Sequence, residues 1–426
     1  MSELKRNMGL FQLTMYGVGL ILGAGIYVLI GEAAGLAGGS IWISIILGII
    51  LASFSGLSYA ELTSIFPKAA AEYIFVKRSF KNNFLAFIIG WLTAVTSIIS
   101  AAVVSLGFGG YLAEFVNIPI VVSAIVLLGI LSLVNFIGIR ESSWTNTIFT
   151  VIEASGLIII IIIGFTYDSP QQIDYFESPN GVTGIILAFL LIFFAFIGFE
   201  DMANVAEEVK KPKKNLPRAI MLSVVITGII YVLVSIASIR VLNWEDLGTS
   251  VAPLADVATI VLGDRGNVLL SSIALFATTN TVLIILVAGA RIFYGMAREK
   301  SLPGFFAIVH SKTKTPWIAV IGIMIIAMAF TLFGEISTVA KIAVFATLIT
   351  FAMMNLSVIV LRFTEPTIER PYRIPLNIGK FPILPLFGLV ITTYMLFQFE
   401  FDVLFVGLII IVIGVIFYLV YKNKKN

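Results

Sequence analysis

The chain has 426 residues, of which 59% are apolar and only 12% charged, with a net charge of +3 and a mean hydropathy of +1.06. That balance lies outside the soluble globular range and leaves an integral membrane protein. Cysteine is absent, which excludes disulfides, thiol catalysis and cysteine metal sites; the net charge says little about partners, and no nucleic acid is expected among them.

In chain order, apolar runs between polar breaks predict helices at 9–36, 41–66, 84–114, 118–138, 144–167, 183–209, 218–242, 267–297, 317–334, 337–362, 382–399 and 402–421. Most reach the roughly 20 residues a helix needs to cross about 30 Å of hydrocarbon. The short alternating strands of an outer-membrane barrel do not occur. The fold class is therefore all-α, a polytopic membrane protein of about twelve spans forming one domain over 1–426. The opening residues run into a full-length helix without a small-residue cleavage site, so the first helix is expected to be retained. The segment 243–265, with Trp244, Glu245, Asp246 and Asp256, reads as an external loop with room for a short surface helix.

Short cytoplasmic loops keep lysine and arginine. All but Arg240, Arg265, Arg291 and Lys341 of the 27 basic residues fall on one side, including Lys5, Arg6, Arg140, Lys314, Lys424 and Lys425. Both termini of a multi-pass cell-membrane protein are then expected in the cytoplasm. Helix six enters the membrane from the side opposite to helix one, which permits an inverted repeat of five plus five helices. Its halves would be 1–167 and 183–362, with two additional helices at 382–421.

Two spans are interrupted. The first carries Gly19-Leu20-Ile21-Leu22-Gly23-Ala24-Gly25-Ile26, and the sixth Phe194-Ala195-Phe196-Ile197-Gly198-Phe199-Glu200-Asp201. Glycine is about 1 kcal/mol worse than alanine inside a helix, so Gly17, Gly19, Gly23 and Gly25 need a reason. One is close helix packing on a small-xxx-small face. The other is that Gly23-Ala24-Gly25 unwinds and turns amide groups toward an anionic ligand at the start of a half-helix. Unwinding at Ile197-Gly198 would free carbonyls for an ammonium group. Paired breaks in matching halves point to a transporter's substrate site. Phe194, Phe196 and Phe199 could wall such a site and gate it with Glu200, or serve only in packing. Glu200 and Asp201 could equally be N-caps of the second half-helix.

These segments resemble the amino acid, polyamine and organocation transporter superfamily, particularly its cationic amino acid transporter-like branch. The likeness rests on Leu22-Gly23-Ala24-Gly25-Ile26, then Ser58-Tyr59-Ala60-Glu61-Leu62 with Phe66-Pro67. It continues through Phe193 to Glu200 followed by Ala206-Glu207-Glu208-Val209-Lys210-Lys211-Pro212 and Leu216-Pro217-Arg218, then Gly289-Ala290-Arg291 to Leu302-Pro303, and Arg370-Pro371-Tyr372-Arg373-Ile374-Pro375. The resemblance implies a five-plus-five inverted repeat with helices 1 and 6 broken, and amino acid transport by alternating access. It places the substrate carboxylate at Gly23, Ala24 and Gly25, beside Ile26. The amino group would meet carbonyls at Phe194, Ala195 and Ile197, next to Gly198. Helices three and eight would add Ser97, Ser100, Thr278, Thr279 and Asn280, although such side chains bond their own backbone about as readily.

Glu153 lies well inside helix five, where insertion scales put an acid at about 2.5–3.5 kcal/mol. It is read as the group that takes up and releases a coupling proton, against a structural carboxyl satisfied by its neighbours. Some proton-coupled relatives place a lysine here, and this sequence departs from them. Sodium held by Glu153 with Thr278, Thr279 or Thr281 is the alternative ion. Arg291 is expected to snorkel or pair with Glu61, Glu207 or Glu208, Lys341 to pair with Glu335, and His310 to be solvated. No catalytic set, metal cluster or phosphate loop supports an enzyme, and no cofactor is expected. The reading is a proton-coupled amino acid symporter in a lipid bilayer, with an amino acid or polyamine exchanger, or a sodium symporter, as alternatives. A small neutral or apolar substrate is favoured because only Glu153 and Glu200 stand out as deep carboxylates.

Overall fold

A computed structural model describes residues 8–68, 71–137, 143–169, 172–313, 315–333 and 335–423. Lys5, Arg6, Arg140, Lys314, Lys424 and Lys425 lie outside the described residues, as do the predicted helix ends at 138 and 334. Among the described residues, sixteen α-helices follow one another. They are α1 (Leu10–Leu22), α2 (Ala24–Ala37), α3 (Ile41–Ile65), α4 (Ala71–Phe80), α5 (Asn83–Ala113), α6 (Ile120–Ile137), α7 (Ser143–Thr166) and α8 (Gly181–Ile192). After them come α9 (Pro212–Val241), α10 (Trp244–Thr249), α11 (Pro253–Leu262), α12 (Asp264–Arg298), α13 (Trp317–Thr331), α14 (Ile336–Thr364), α15 (Ile383–Leu396) and α16 (Phe401–Asn423). A two-residue-per-strand hairpin, Asn377–Ile378 with Phe381–Pro382, precedes α15.

Among the described residues, nine apolar stretches are long enough to cross a membrane, and the first, Leu10–Ile65, turns back at Gly38–Ser40 and so holds two crossings. With the shorter apolar α13 and α15, this accounts for the twelve spans expected. Side chains such as Val126, Ile130, Ile162, Ile229, Val412 and Ile416 are exposed on the outside, where lipid is their solvent. Tyr27, Tyr59, Tyr231, Phe193 and Phe199 are buried at the centre, each tyrosine taking its hydroxyl inward.

The sixth span differs from its predicted helix at 183–209. α8 ends at Ile192, and the chain continues in 3-10 turns at Phe193–Phe196, Phe199–Ala203 and Ala206–Glu208. Two tertiary contacts account for this. Met8 pairs in extended form with the following segment, its amide donating to the Glu208 carbonyl (3.2 Å) and its carbonyl accepting from the Lys210 amide (2.8 Å). The Asn204 side chain accepts from the Ala71 amide at 3.2 Å. Both draw polar groups out of a regular helix.

The stretch 243–265 holds two helices rather than a loop. Pro253 starts α11 at a position where its missing N–H is harmless, and Leu254, Ala255, Val257 and Ala258 are all buried. The surroundings of Lys341 and His310 differ from expectation, and Arg291 does not reach Glu61. Lys341 bonds Glu400 at 2.9 Å, because the turn into α16 brings that carboxylate over α14, while Glu335 accepts from Thr338. His310 is half-buried, with Nδ1 3.1 Å from the Thr313 hydroxyl and its ring 5.1 Å from Phe136. Arg291 is exposed, and Glu61 is taken by other partners.

Those partners form the strongest polar contact in the bundle. Arg362 Nε and Nη2 donate to the two oxygens of Glu61 at 2.8 and 2.6 Å, with 3% and 2% of the respective side chains exposed. The Ile374 amide donates to the same carboxylate at 2.9 Å, and Arg370 Nε lies 3.4 Å away. One carboxylate thus ties α3, α14 and the 365–376 segment together. Removing one partner of a buried pair typically destabilises by about 3–5 kcal/mol, since the other charge is left desolvated. Glu61→Gln is expected to lower the thermal unfolding midpoint of the purified full chain clearly; an unchanged midpoint would show that the pair adds nothing.

Candidate functional site

The break between α1 and α2 is one residue wide. Gly23 leaves helical geometry (φ −34°, ψ −166°), its amide still donating to the Gly19 carbonyl at 3.1 Å, and Ala24 and Gly25 already belong to the first turn of α2. No side chain caps that helix as an Asn or Ser would. The Ala24 amide donates to Thr281 Oγ1 at a long 3.3 Å, so the N-terminus of α2 retains donor capacity and its positive dipole end. Gly25 must be glycine: a Cβ there would stand 2.7 Å from the Ala195 Cα. The two broken spans therefore cross almost backbone on backbone.

In the sixth span Ile197 is extended and Gly198 sits at φ +129°, a conformation L side chains rarely adopt. Glu200 Oε2 accepts from the Gly198 amide at 2.9 Å, so this acid folds back to satisfy the break. The Phe194 carbonyl accepts from the Ile197 amide at 3.1 Å, and the Ala195 carbonyl from the Tyr231 hydroxyl at 3.0 Å. Tyr231 is also hydrogen-bonded to the Ile21 carbonyl. A single fully buried phenol on α9 therefore links α1 to the broken sixth span.

Between the breaks lies a cavity of about 60 Å³, counted as the space open to the centre of a water-sized sphere. Gly23, Ala24, Gly25, Phe194, Ala195, Ile197, Gly198, Ser97, Ser100 and Glu200 line it, as does Asp201. The other expected residues lie elsewhere. Ile26 is buried in packing, and Phe196 stacks on Phe193 and against the edge of Tyr231. Phe199 packs behind the wall on Tyr59 and Phe351 at 5.7 and 5.2 Å. Thr278 and Thr279 bond the carbonyls of Ala274 and Leu275 on their own helix.

Asn280 also points away from the cavity, donating Nδ2 to Glu153 Oε1 at 2.9 Å. Glu153 is completely buried and outside the cavity lining, and its carbonyl accepts from Tyr27 at 2.6 Å. Tyr111 donates in turn to the Tyr27 carbonyl at 2.7 Å. Glu153 thus sits in a polar chain joining α7 to α2, α5 and α12.

The lining residues that the sequence reading did not assign to the substrate site are Thr281, which it named only as a possible sodium ligand, Ile284 and Ile285 on α12, Thr93 and Thr96 on α5, Thr347, Thr350 and Phe351 on α14, and Tyr59. A signal existed for most of them. Thr93, Thr96, Ser97 and Ser100 recur at i, i+3, i+4 and i+7, a polar stripe on an otherwise apolar helix. On α12 the choice of 278–280 missed by a single residue, which is 100° of helix rotation. Thr93, Ser97, Thr347 and Thr350 hydroxyls bond carbonyls of their own helices. Those of Thr96 and Ser100 are buried without a hydrogen-bond partner among the described residues.

Tyr231→Phe keeps the ring and removes the bridge between the Ile21 and Ala195 carbonyls. Losing a buried partner typically costs about 1–3 kcal/mol. The variant is expected to melt at lower temperature and to lose ligand-induced stabilisation, as read by thermal shift with and without amino acid; wild-type behaviour in both would mean the bridge does not hold the breaks.

A family model described as amino acid permease matches residues 8–421. The branched-chain amino acid permease BcaP of Bacillus subtilis (strain 168) is 28% identical over 450 aligned residues, covering all of this chain and 95% of the relative. A methylthioribose transporter of the same organism is 28% identical with the same coverage. The vacuolar cationic amino acid transporter 4 of Arabidopsis thaliana is 28% identical over 85% of this chain and 64% of its own length. With nearly every described residue matched, this multi-pass membrane protein belongs to the amino acid permease family, within the amino acid, polyamine and organocation superfamily.

Proposed function

We infer that the chain is a secondary amino acid transporter that works by alternating access, driven by protons through Glu153. The observation that carries this is the meeting of two broken spans at one cavity. The uncapped N-terminus of α2 offers amides and a positive dipole end suited to a carboxylate. The facing turn at Phe194, Ala195 and Ile197 offers carbonyls suited to an ammonium group. Carbonyl oxygens that already accept one bond keep a second lone pair for it.

A zwitterion would then bind to main chain alone, and the side-chain end of the cavity would set selectivity. That end carries hydroxyls and the two carboxyls Glu200 and Asp201. The sequence argument for an apolar substrate counted Glu153 among the deep carboxylates and overlooked Asp201, so it no longer applies. Polar and cationic amino acids belong in the substrate screen beside branched-chain ones.

Glu153 suits the coupling role through its position. It is fully buried, and Asn280 reaches it from α12, the helix whose Thr281 touches the amide at the first break. A carboxyl there is costly when charged, and gaining or losing a proton would alter the bond between α7 and α12. In this reading the halves 1–167 and 183–362 are inverted repeats that move against each other. The basic loops place the described face that carries α4 in the cytoplasm of a cell-membrane protein, with the termini on that side.

Two measurements test the assignment. A thermal-shift screen of the purified protein against the twenty amino acids and common polyamines at two pH values is expected to single out one substrate group. Glu153→Gln is expected to keep that binding and lose accumulation driven by a pH gradient in proteoliposomes; undiminished accumulation would remove Glu153 from the mechanism.

A further inference from the structure

The cavity's acidic end continues into a buried cluster that the coupling scheme does not use. Tyr59 and Asp201 line the cavity, and behind them Glu72 projects from the first turn of α4 with 2% of its surface exposed. Asn204 joins the two elements, donating to Asp201 Oδ1 at 3.3 Å and accepting from the Ala71 amide at 3.2 Å. Glu72 faces the Tyr59 hydroxyl and Asp201, and Asp201 faces Glu200. The Glu72 Oε1 and Tyr59 Oη atoms are both buried without a hydrogen bond of good geometry among the described residues.

Among the described residues, no cation pairs with the cluster of Glu72, Glu200 and Asp201. On α4 itself Lys77 pairs with Glu299, and Arg78 lies over the Phe66 ring. Of the helices packed on α4, α5 carries no charged side chain, and on α14 Arg362 is taken by Glu61 and Lys341 by Glu400. Burial beside Asp201, with no ion pair to it among the described residues, disfavours the charged form of Glu72.

We propose that Glu72 is a second proton-binding site, and that a proton on it holds α4 docked against the broken sixth span, closing the cavity toward the face that carries α4. The inference rests on the cavity being the transport path, but not on which solute uses it or on Glu153. In the docked state the protonated carboxyl can donate to Tyr59 or Asp201. When α4 swings away, water can hydrate the charge and the cavity gains a mouth beside Asp201.

Burial, reinforced by Asp201, pushes the Glu72 carboxyl up to about 7 from an ordinary 4.5, although its own backbone amide and the Tyr59 hydroxyl favour the charged form. The sign follows from linkage. A raised acid pKa makes the docked state most stable below the ordinary value, and that stability is lost as pH rises through about 7. Docking should weaken by up to about tenfold per pH unit within that window.

The chain has no cysteine, so Thr93→Cys puts a single thiol in the cavity wall. Its modification by a charged thiosulfonate reagent is followed in nanodiscs from pH 5 to pH 8, with Thr93→Cys alone and with added Glu72→Gln, so that thiol ionisation cancels in the ratio. The ratio is expected to be near one at pH 5. At pH 8 the parent should react at least about tenfold faster, because the Gln variant stays docked. Glu72→Asp, which keeps an ionisable group, should retain the pH dependence. A ratio independent of pH overturns the proposal. So does a profile that survives Glu72→Gln and vanishes in Glu153→Gln, which would give the proton to Glu153. Because access is read rather than uptake, an incorrect substrate assignment leaves the result intact.

Discussion

The structure depends on one rule of the bilayer: a main-chain amide or carbonyl in hydrocarbon needs a partner inside the protein. A continuous helix meets it without help, whereas this chain breaks two helices at mid-bundle and meets it with side chains, Tyr231 and Thr281 from other helices and Glu200 from the broken span itself. Tyr231 serves the Ile21 and Ala195 carbonyls, Thr281 the Ala24 amide, and Glu200 the Gly198 amide. Each comes from a different place in the sequence, so the breaks exist only in the folded bundle. Donors are left over at the start of α2, where they line the cavity.

The same rule explains how the buried charges are arranged. Glu61 has two arginines and an amide and acts as a fixed tie between helices. Glu153 accepts a hydrogen bond from Asn280, a neutral partner on another helix. Among the described residues, Glu72, Glu200 and Asp201 have one another, a tyrosine, an asparagine and backbone. Along this series the side-chain partners change from two arginines to neutral groups. A carrier that moves needs both kinds, with permanent ties in the parts that stay together and titratable contacts where parts separate.

Relatives named for branched-chain amino acids, methylthioribose and cationic amino acids resemble this chain about equally. That breadth fits a site whose shared contacts are main chain and whose selectivity lies in a few side chains on α5, α12 and α14. Exchanging Thr96, Ser100 or Thr350 alters what lines the cavity without touching the breaks themselves, whereas Thr281 also serves the Ala24 amide. The fold is therefore a weak guide to the substrate, and the wall chemistry is the stronger one.

Hydropathy alone was enough to determine the apolar segments, their number and the positions of the two breaks, because crossing length and the cost of glycine in a helix are local properties of the chain. The polar stripe on α5 was equally open to reading from its 3.6-residue period. Rotation was not: whether 278–280 or 281, 284 and 285 of α12 face the cavity depends on how that helix packs against α5 and α7. Nor could pairing be read, since Glu61 with Arg362 and Glu153 with Asn280 join residues 301 and 127 positions apart. Tertiary structure alone turned the second half of the sixth span into 3-10 turns, because Met8 and Ala71 draw on its polar groups from distant parts of the chain.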